Sequence, residues 1–248
     1  MHFMKLMQLI NPCVDLFFPP RCVFCNSLLP AGKSGICYAC KDRVKFIQEP
    51  RCLKCGKAIE YDESEYCLDC ASKERDFVRG YPLFSYLPPV SGALSLLKYH
   101  GKEEVGQYLG RLLGQHFGPE FQSLHLDAII PVPVSEKKRK LRGYNQAEII
   151  ARACRDAFDS SLPLVCDLLI RKSDTQAQKK LSASEREKNL RKAFTCANEM
   201  RSSFAGGRVL LVDDIYTTGA TIQACTKALM EVGVEKVYYT SVCAGRGN

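Results

Sequence analysis

Histidine is scarce, with four in 248 residues. His2, His100, His116 and His125 are scattered in contexts that suit surface or hydrogen-bonded helix positions, so a histidine general base has no cluster to build on. No apolar run reaches the roughly 18 residues of a membrane-spanning helix. The apolar N-terminus, Met1 to Phe18, is broken by Asn11-Pro12 and Asp15 and lacks a charged start and a small-residue cleavage site. It reads as a docking helix rather than a signal peptide, and the expected location is cytoplasmic.

Cysteine, by contrast, is abundant. Eight of the 14 cysteines form four Cys-x-x-Cys pairs, at 22/25, 37/40, 52/55 and 67/70. The pairs start at 22, 37, 52 and 67, so Cys22 to Cys40 overlays Cys52 to Cys70 without a gap, which identifies an internal duplication. Each copy offers four thiolates, a complete tetrahedral shell for a structural zinc ion with no position left for water. Asn26 and Gly56 follow the first pair of each copy, where a metal knuckle needs a residue that tolerates a left-handed backbone. Sequential sites, Cys22/Cys25/Cys37/Cys40 and Cys52/Cys55/Cys67/Cys70, are expected because each repeat is then self-sufficient; the alternative is an interleaved cross-brace. Cys13, Cys154, Cys166, Cys196, Cys225 and Cys243 lack partner spacing and read as small buried apolar residues.

The formal net charge is +8. Eight thiolates and two divalent ions reduce it to about +4. The distribution is more informative: Ile129 to Lys192 holds 15 Lys or Arg against 8 Asp or Glu. One basic block, Lys137-Lys138-Arg139-Lys140-Leu141-Arg142, lies between the apolar run Ala128 to Pro133 and an amphipathic helix after Tyr144, and is expected to be a loop. Such a loop, at the carboxyl edge of a parallel sheet, is where doubly wound folds bind ligands. Arg142, Asn145 and Gln146, beside Gly143 and the helix start, are its best ligand candidates. The second block, Arg171 to Lys192, has two overlapping capping boxes, Ser182/Glu185 and Ser184/Glu187, and few apolar anchors. It reads as a mobile lid or as a plain linker.

Residues 209–221 read Val-Leu-Leu-Val-Asp-Asp-Ile-Tyr-Thr-Thr-Gly-Ala-Thr. Val209 to Val212 have the composition of a buried parallel strand. Asp213 and Asp214 sit where that strand is expected to emerge. Thr217, Thr218, Gly219, Ala220 and Thr221 are small, and the helical pattern of Ile222, Cys225 and Leu229 places them at a helix N-terminus, where N–H groups, hydroxyls and the helix dipole favour an anion.

This segment resembles the phosphoribosyl pyrophosphate (PRPP) loop of type I phosphoribosyltransferases. The resemblance implies that Asp213 and Asp214 hold the ribose hydroxyls and take part in catalysis. It also implies that Thr217 to Thr221 cradle the 5-phosphate, that Mg²⁺ accompanies PRPP, and that the basic loop with Arg142, Asn145 and Gln146 faces pyrophosphate. It favours the lid reading, with Arg171, Gln176, Arg186 and Asn189 as candidates. The paired zinc modules, Arg142-Gly143-Tyr144-Asn145-Gln146, Thr175-x-x-Gln178, Leu181-Ser-x-x-x-Arg186-x-x-Asn189-Leu190 and the 212–221 segment together resemble the ComF family of competence proteins over nearly the whole chain. By that resemblance the protein acts on imported single-stranded DNA at the inner face of the membrane, beside a helicase and a DNA-protecting protein.

The expected architecture is α/β. A double zinc ribbon with its N-terminal helix occupies residues 1–75, and a phosphoribosyltransferase-like, mainly parallel sheet flanked by helices occupies 76–248. Expected strands cover 81–87, 127–132, 164–170, 208–212 and 236–242, and helices cover 90–117, the stretch after Tyr144, and 221–232. Alternatives are an active phosphoribosyltransferase of nucleotide salvage or modification, and a zinc-ribbon nucleic-acid-binding protein with a vestigial PRPP site. No residue marks the acceptor of a transfer reaction. A glutamine-using amidophosphoribosyltransferase is disfavoured, since a zinc module stands where its amidohydrolase domain belongs.

Overall fold

The computed structural model describes residues 19–30, 32–33, 35–59, 64–172, 193–197 and 204–245. Cys13, Gln176, Arg186, Asn189 and the capping boxes of the expected lid lie outside them. In chain order the elements are α1 (Tyr38–Lys41), α2 (Leu68–Ser72), β1 (Gly80–Ser85), α3 (Val90–Tyr99), α4 (Glu103–Ser123), β2 (Ala128–Pro131), α5 (Glu136–Arg142), α6 (Gln146–Phe158), β3 (Leu169–Arg171), β4 (Phe194–Cys196), β5 (Arg208–Tyr216), α7 (Ala220–Met230) and β6 (Lys236–Ala244).

The main sheet has the order β1-β6-β5-β2, with every pairing parallel. A parallel bridge from Ile129 to Leu164 continues it beyond β2, and β3 and β4 form a separate antiparallel pair. Val209 to Val212 are fully buried because both faces of β5 are covered. Leu210 and Val212 join the core shared with α3, α4 and α6. Val209 and Leu211 join the core shared with α7, β3, β4 and the second zinc ribbon.

A glycine row allows α4 to lie unusually close to α6. Gly106, Gly110, Gly114 and Gly118 recur every four residues, hence on one helical face. A Cβ at Gly110 would stand 2.4 Å from the Ile150 carbonyl oxygen, and one at Gly114 would stand 2.2 Å from that of Cys154. The two backbones are therefore in near contact, with no room for side chains between them.

The helical segments expected over 90–117 are two helices, separated at His100–Lys102 where Gly101 has φ 65°, and the second continues to Ser123. Three expectations need correction. The 164–170 strand divides into the bridge at Leu164 and the short β3. β5 does not emerge at Val212 but pairs with β6 as far as Tyr216, so both acids lie within the strand. The basic block is not a loop. Residues 136–142 form α5, supported by an ion pair between Glu136 and Lys140 at 2.7 Å and stopped by Gly143 at φ 84°.

The duplication seen in the sequence is repeated in space. Bridges join Arg21 to Leu28 and Arg51 to Ala58, and α1 and α2 begin directly after Cys37 and Cys67. Asn26 (φ 61°) and Gly56 (φ 68°) are both left-handed, and each N–H donates to the carbonyl of the first cysteine of its repeat at 2.8 Å. The sulfurs of Cys22, Cys25, Cys37 and Cys40 lie within 4.8 Å of one another, as do those of Cys52, Cys55, Cys67 and Cys70. This is the sequential grouping, and each four-thiol set fits one structural zinc ion. The first ribbon packs through Phe24 edge-on to Phe84 of β1 and Tyr108 of α4. The second packs beneath β5 and β6. Of the unpaired cysteines, Cys154, Cys196, Cys225 and Cys243 are buried and Cys166 is half-buried.

Two outcomes follow. Gly114→Ala should lower stability by about 1–3 kcal/mol through overpacking, even though alanine favours helix by up to about 1 kcal/mol. Gly118→Ala, whose nearest contact is the Phe158 Cβ at 3.1 Å, should cost less; equal midpoints in thermal melts would refute this account of the α4–α6 contact. Elemental analysis should find two zinc ions per chain, and chelation should abolish protection of the ribbon amides, because metal binding supplies the folding free energy of so small a module. One ion per chain, or iron, would contradict the two-site assignment.

Candidate functional site

The carboxyl edge of β5 brings together most of the expected phosphoribosyl residues. Consecutive strand residues point to opposite faces, and the two acids divide accordingly. Asp214, 5% exposed, faces α3 and α6. Its Oδ2 accepts from Gln146 Nε2 at 3.0 Å and pairs with Lys98 Nζ at 3.0 Å. Gln146 in turn accepts from Arg142 Nη1 at 2.8 Å, so Arg142, Gln146, Asp214 and Lys98 form one hydrogen-bonded line across α5, α6, β5 and α3.

Asp213 lies on the other face, within the fields of Lys98 and, less strongly, Arg171. Burial, followed by the neighbouring Asp214 charge, pushes its carboxyl up to about 8, against the lowering effect of the Asp214 N–H that donates to its Oδ1 at 2.8 Å. Two carboxyls of one strand thus have different environments: one is held by a lysine and an amide, the other is half-buried beside a like charge.

The turn after β5 contains Thr217 and Thr218, both exposed, then Gly219, which starts α7 in the left-handed region at φ 76°. Glycine is required there twice over, since a Cβ would also stand 2.3 Å from the Tyr216 hydroxyl oxygen. Helix α7 begins at Ala220, and Thr221 is half-buried in its first turn. The N–H groups of this first turn have no intrahelical acceptors, which suits an anion.

Asn145 is placed differently from the expectation that it contacts a ligand. It is buried, its Oδ1 caps α6 by accepting from the Ala147 N–H at 3.1 Å, and its Nδ2 donates to the Val132 carbonyl at 3.1 Å. Its side chain thereby ties α6 to the segment after β2. In that segment Ser135 is buried, and its hydroxyl has no hydrogen-bond partner among the described residues. Lys137 to Lys140 are exposed on α5. Sequence reasoning missed Lys98. Nothing around it marks a site, and only its position, one residue beyond the buried Leu97 near the end of α3, turns its amine toward β5.

The family model for a double zinc ribbon domain matches residues 13–71, and that for a phosphoribosyl transferase domain matches residues 142–247. Competence protein F of Haemophilus influenzae is 32% identical over 224 residues, covering 89% of this chain and 95% of that protein. DNA utilization protein YhgH of Salmonella typhi is 28% identical, with 92% and 98% covered. Competence protein ComFC of Bacillus subtilis is 27% identical, with 61% and 58% covered. With matching modules at both ends of one α/β architecture and a relative aligned over almost its whole length, the chain belongs to the ComF family of competence proteins.

Proposed function

We propose that the protein binds Mg²⁺-PRPP at the carboxyl edge of β5 and serves the uptake of single-stranded DNA in natural competence, on the cytoplasmic side of the membrane. The observation that carries the first half is the alignment of Asp213, Asp214 and the turn 217–221 on one strand end. A buried, lysine-paired carboxylate there belongs to the strand that leads into a helix N-terminus whose glycine leaves no side chain in the way of a phosphate. In this reading Asp213 and Asp214 accept hydrogen bonds from the ribose hydroxyls. Thr217, Thr218, Gly219, Ala220 and Thr221 hold the 5-phosphate. Arg142 and Gln146 face the pyrophosphate. Mg²⁺ would neutralise pyrophosphate charge when bound. If phosphoribosyl transfer occurs, the chain's share is to orient the ribose and hold the leaving group by charge.

The second half rests on family membership and on charge. The relatives are named for competence and for DNA utilization, and the exposed Lys137 to Lys140 offer a basic face for a nucleic-acid backbone. By the same reading, a helicase and a DNA-protecting protein are its partners at the membrane.

Calorimetry tests the site. Asp214→Asn and Thr218→Val should each weaken Mg²⁺-PRPP binding at least tenfold, on the scale of about 1.5–3 kcal/mol for a charge-assisted hydrogen bond, with the fold intact. Unchanged affinity in both would mark the turn as vestigial. Since an ionised Asp213 accepts from the ribose more strongly than a neutral carboxyl and its carboxyl is pushed up to about 8, binding below that pH expels a proton. Affinity should therefore rise between pH 6 and 8 and level off above, and Asp213→Asn should remove that slope.

Anisotropy across a salt series tests the DNA reading. Counterion release predicts a log-log slope of about −0.7 per contacted phosphate of a single strand. Alanine at Lys137, Lys138, Arg139 and Lys140 should flatten the slope and weaken binding to all sequences alike. An absence of single-strand binding near physiological salt would favour a salvage or modification enzyme instead.

A further inference from the structure

The second zinc ribbon and the candidate phosphate turn share a seam. Arg75, three residues beyond α2, is buried, and its Nη2 donates to the Thr218 carbonyl at 2.7 Å. Next to it, the Asp76 N–H donates to Gln223 Oε1 at 3.0 Å, and Gln223 Nε2 donates back to Asp76 Oδ2 at 2.5 Å, closing the seam onto the first turn of α7. From inside the ribbon, buried Lys57 pairs with Asp69 of α2 at 3.3 Å and lies over the Tyr216 ring at 5.4 Å. Tyr216 directly precedes the turn, and its hydroxyl occupies the space beside Gly219.

The bond from Arg75 has a directional consequence. In a planar trans peptide the C=O and the following N–H point opposite ways. A guanidinium that holds the Thr218 carbonyl on the ribbon side therefore aims the Gly219 N–H away from the ribbon. A cation on the carbonyl also polarises that peptide and strengthens the N–H as a donor. Arg75 itself is held by the ribbon: α2 starts directly after Cys67 and contains Cys70, so the four-thiol site fixes the helix from which residues 73–76 extend.

We propose that Arg75 is a positioning residue for the phosphate turn, and that through it the metal site of the second ribbon and the sugar-phosphate site are coupled. The inference rests on the reading of residues 217–221 as a sugar-phosphate turn. Coupling of this kind is reciprocal: metal in Cys52/Cys55/Cys67/Cys70 strengthens sugar-phosphate binding, and sugar phosphate retains that metal. The first ribbon, packed on β1 and α4, is not part of the seam described here.

The test has a ligand-free arm and a ligand arm. In hydrogen exchange without ligand, Arg75→Ala should keep two zinc ions and core protection while the amides of residues 223–225, the first of α7 to bond back onto the turn, exchange at least tenfold faster. Cys67→Ser, which loses the second ion, should show the same local acceleration. In the ligand arm, Arg75→Ala should weaken Mg²⁺-PRPP binding about tenfold and Arg75→Lys should recover part of the loss. Mg²⁺-PRPP should slow the transfer of one of the two zinc ions to a chromogenic chelator in the parent protein but not in Arg75→Ala. If Arg75→Ala fails to fold, Arg75→Gln carries the same measurements. Unchanged exchange at 223–225 with Arg75 replaced overturns the proposal. If the parent binds no Mg²⁺-PRPP, the sugar-phosphate reading falls and the coupling with it, while the exchange arm separately decides whether Arg75 and the metal hold the turn.

Discussion

Two adjacent carboxylates on a central, covered strand are the constraint from which the site is built. Burying a charge without a partner is prohibitive, and neighbours on a strand face opposite ways, so the elements packed on the two faces supply each acid separately. Asp214 therefore needs a cation and a donor from the α3–α6 side, and finds Lys98 and Gln146. Among the described residues Asp213 finds only the adjacent backbone N–H within hydrogen-bond distance, and its carboxyl rises. Lys98 reaches β5 only because Ala93, Leu94 and Leu97 seat α3 in the core. That same core includes the contact of α4 with α6, made possible by the glycine row. A row of missing side chains on α4 thus helps to set the geometry around one of the acids.

The zinc ribbons are not appendages on a tether. Each repeat has too few apolar residues to fold alone, and small modules of this kind rely on metal for the deficit. Yet their cysteines also count as core. Cys22 and Cys40 pack with Phe24 in the cluster below α3 and α4, while Cys52, Cys55 and Cys67 pack with Phe77 and Tyr239 in the cluster below β5 and β6. The duplication also has unequal consequences. Asn26 sits at a half-buried knuckle, whereas Gly56 at the equivalent knuckle is pressed against β1, where a Cβ would stand 2.3 Å from the Gly80 carbonyl oxygen. One repeat could keep a side chain there; the other could not.

Patterns with a fixed period or a fixed order were legible in the sequence. The 30-residue offset of the cysteines, the left-handed knuckles, the β-branched run of β5 and the small-residue turn before α7 each have one dominant physical cause, and each could be read locally. What was missed depended on contacts between distant segments. Lys98 carries no local mark, because its role comes from α3 docking across the sheet. The extent of β5 beyond Val212 was hidden because acids suggest a strand end, whereas pairing with β6 continues from Asp213 opposite Ser241 to Tyr216 opposite Ala244. Asn145 looked like a ligand because it stands beside Gly143, but its two hydrogen bonds are architectural. The basic block looked like a loop because its charge dominated the reading, although the spacing of Glu136 and Lys140 was already helical.

That last element separates two kinds of positive charge that are adjacent in sequence. Lys137 to Lys140 extend into solvent, where their interactions are screened within about 8–10 Å at ordinary ionic strength and their strength falls as salt rises. Arg142, two residues on, is half-buried, lies 5.5 Å from the Tyr99 ring and is fixed by its bond to Gln146. A guanidinium held in one orientation selects a ligand by geometry, and salt affects it far less than it affects a mobile ammonium. Helix α5 therefore presents a diffuse, salt-sensitive field on its exposed face and a directed group at its C-terminal end. The first suits a polyanion of any sequence; the second suits a small phosphate ester held in register with Asp214. The two can operate together, since the exposed block fills the first turns of the helix and Arg142 stands at its C-terminal end.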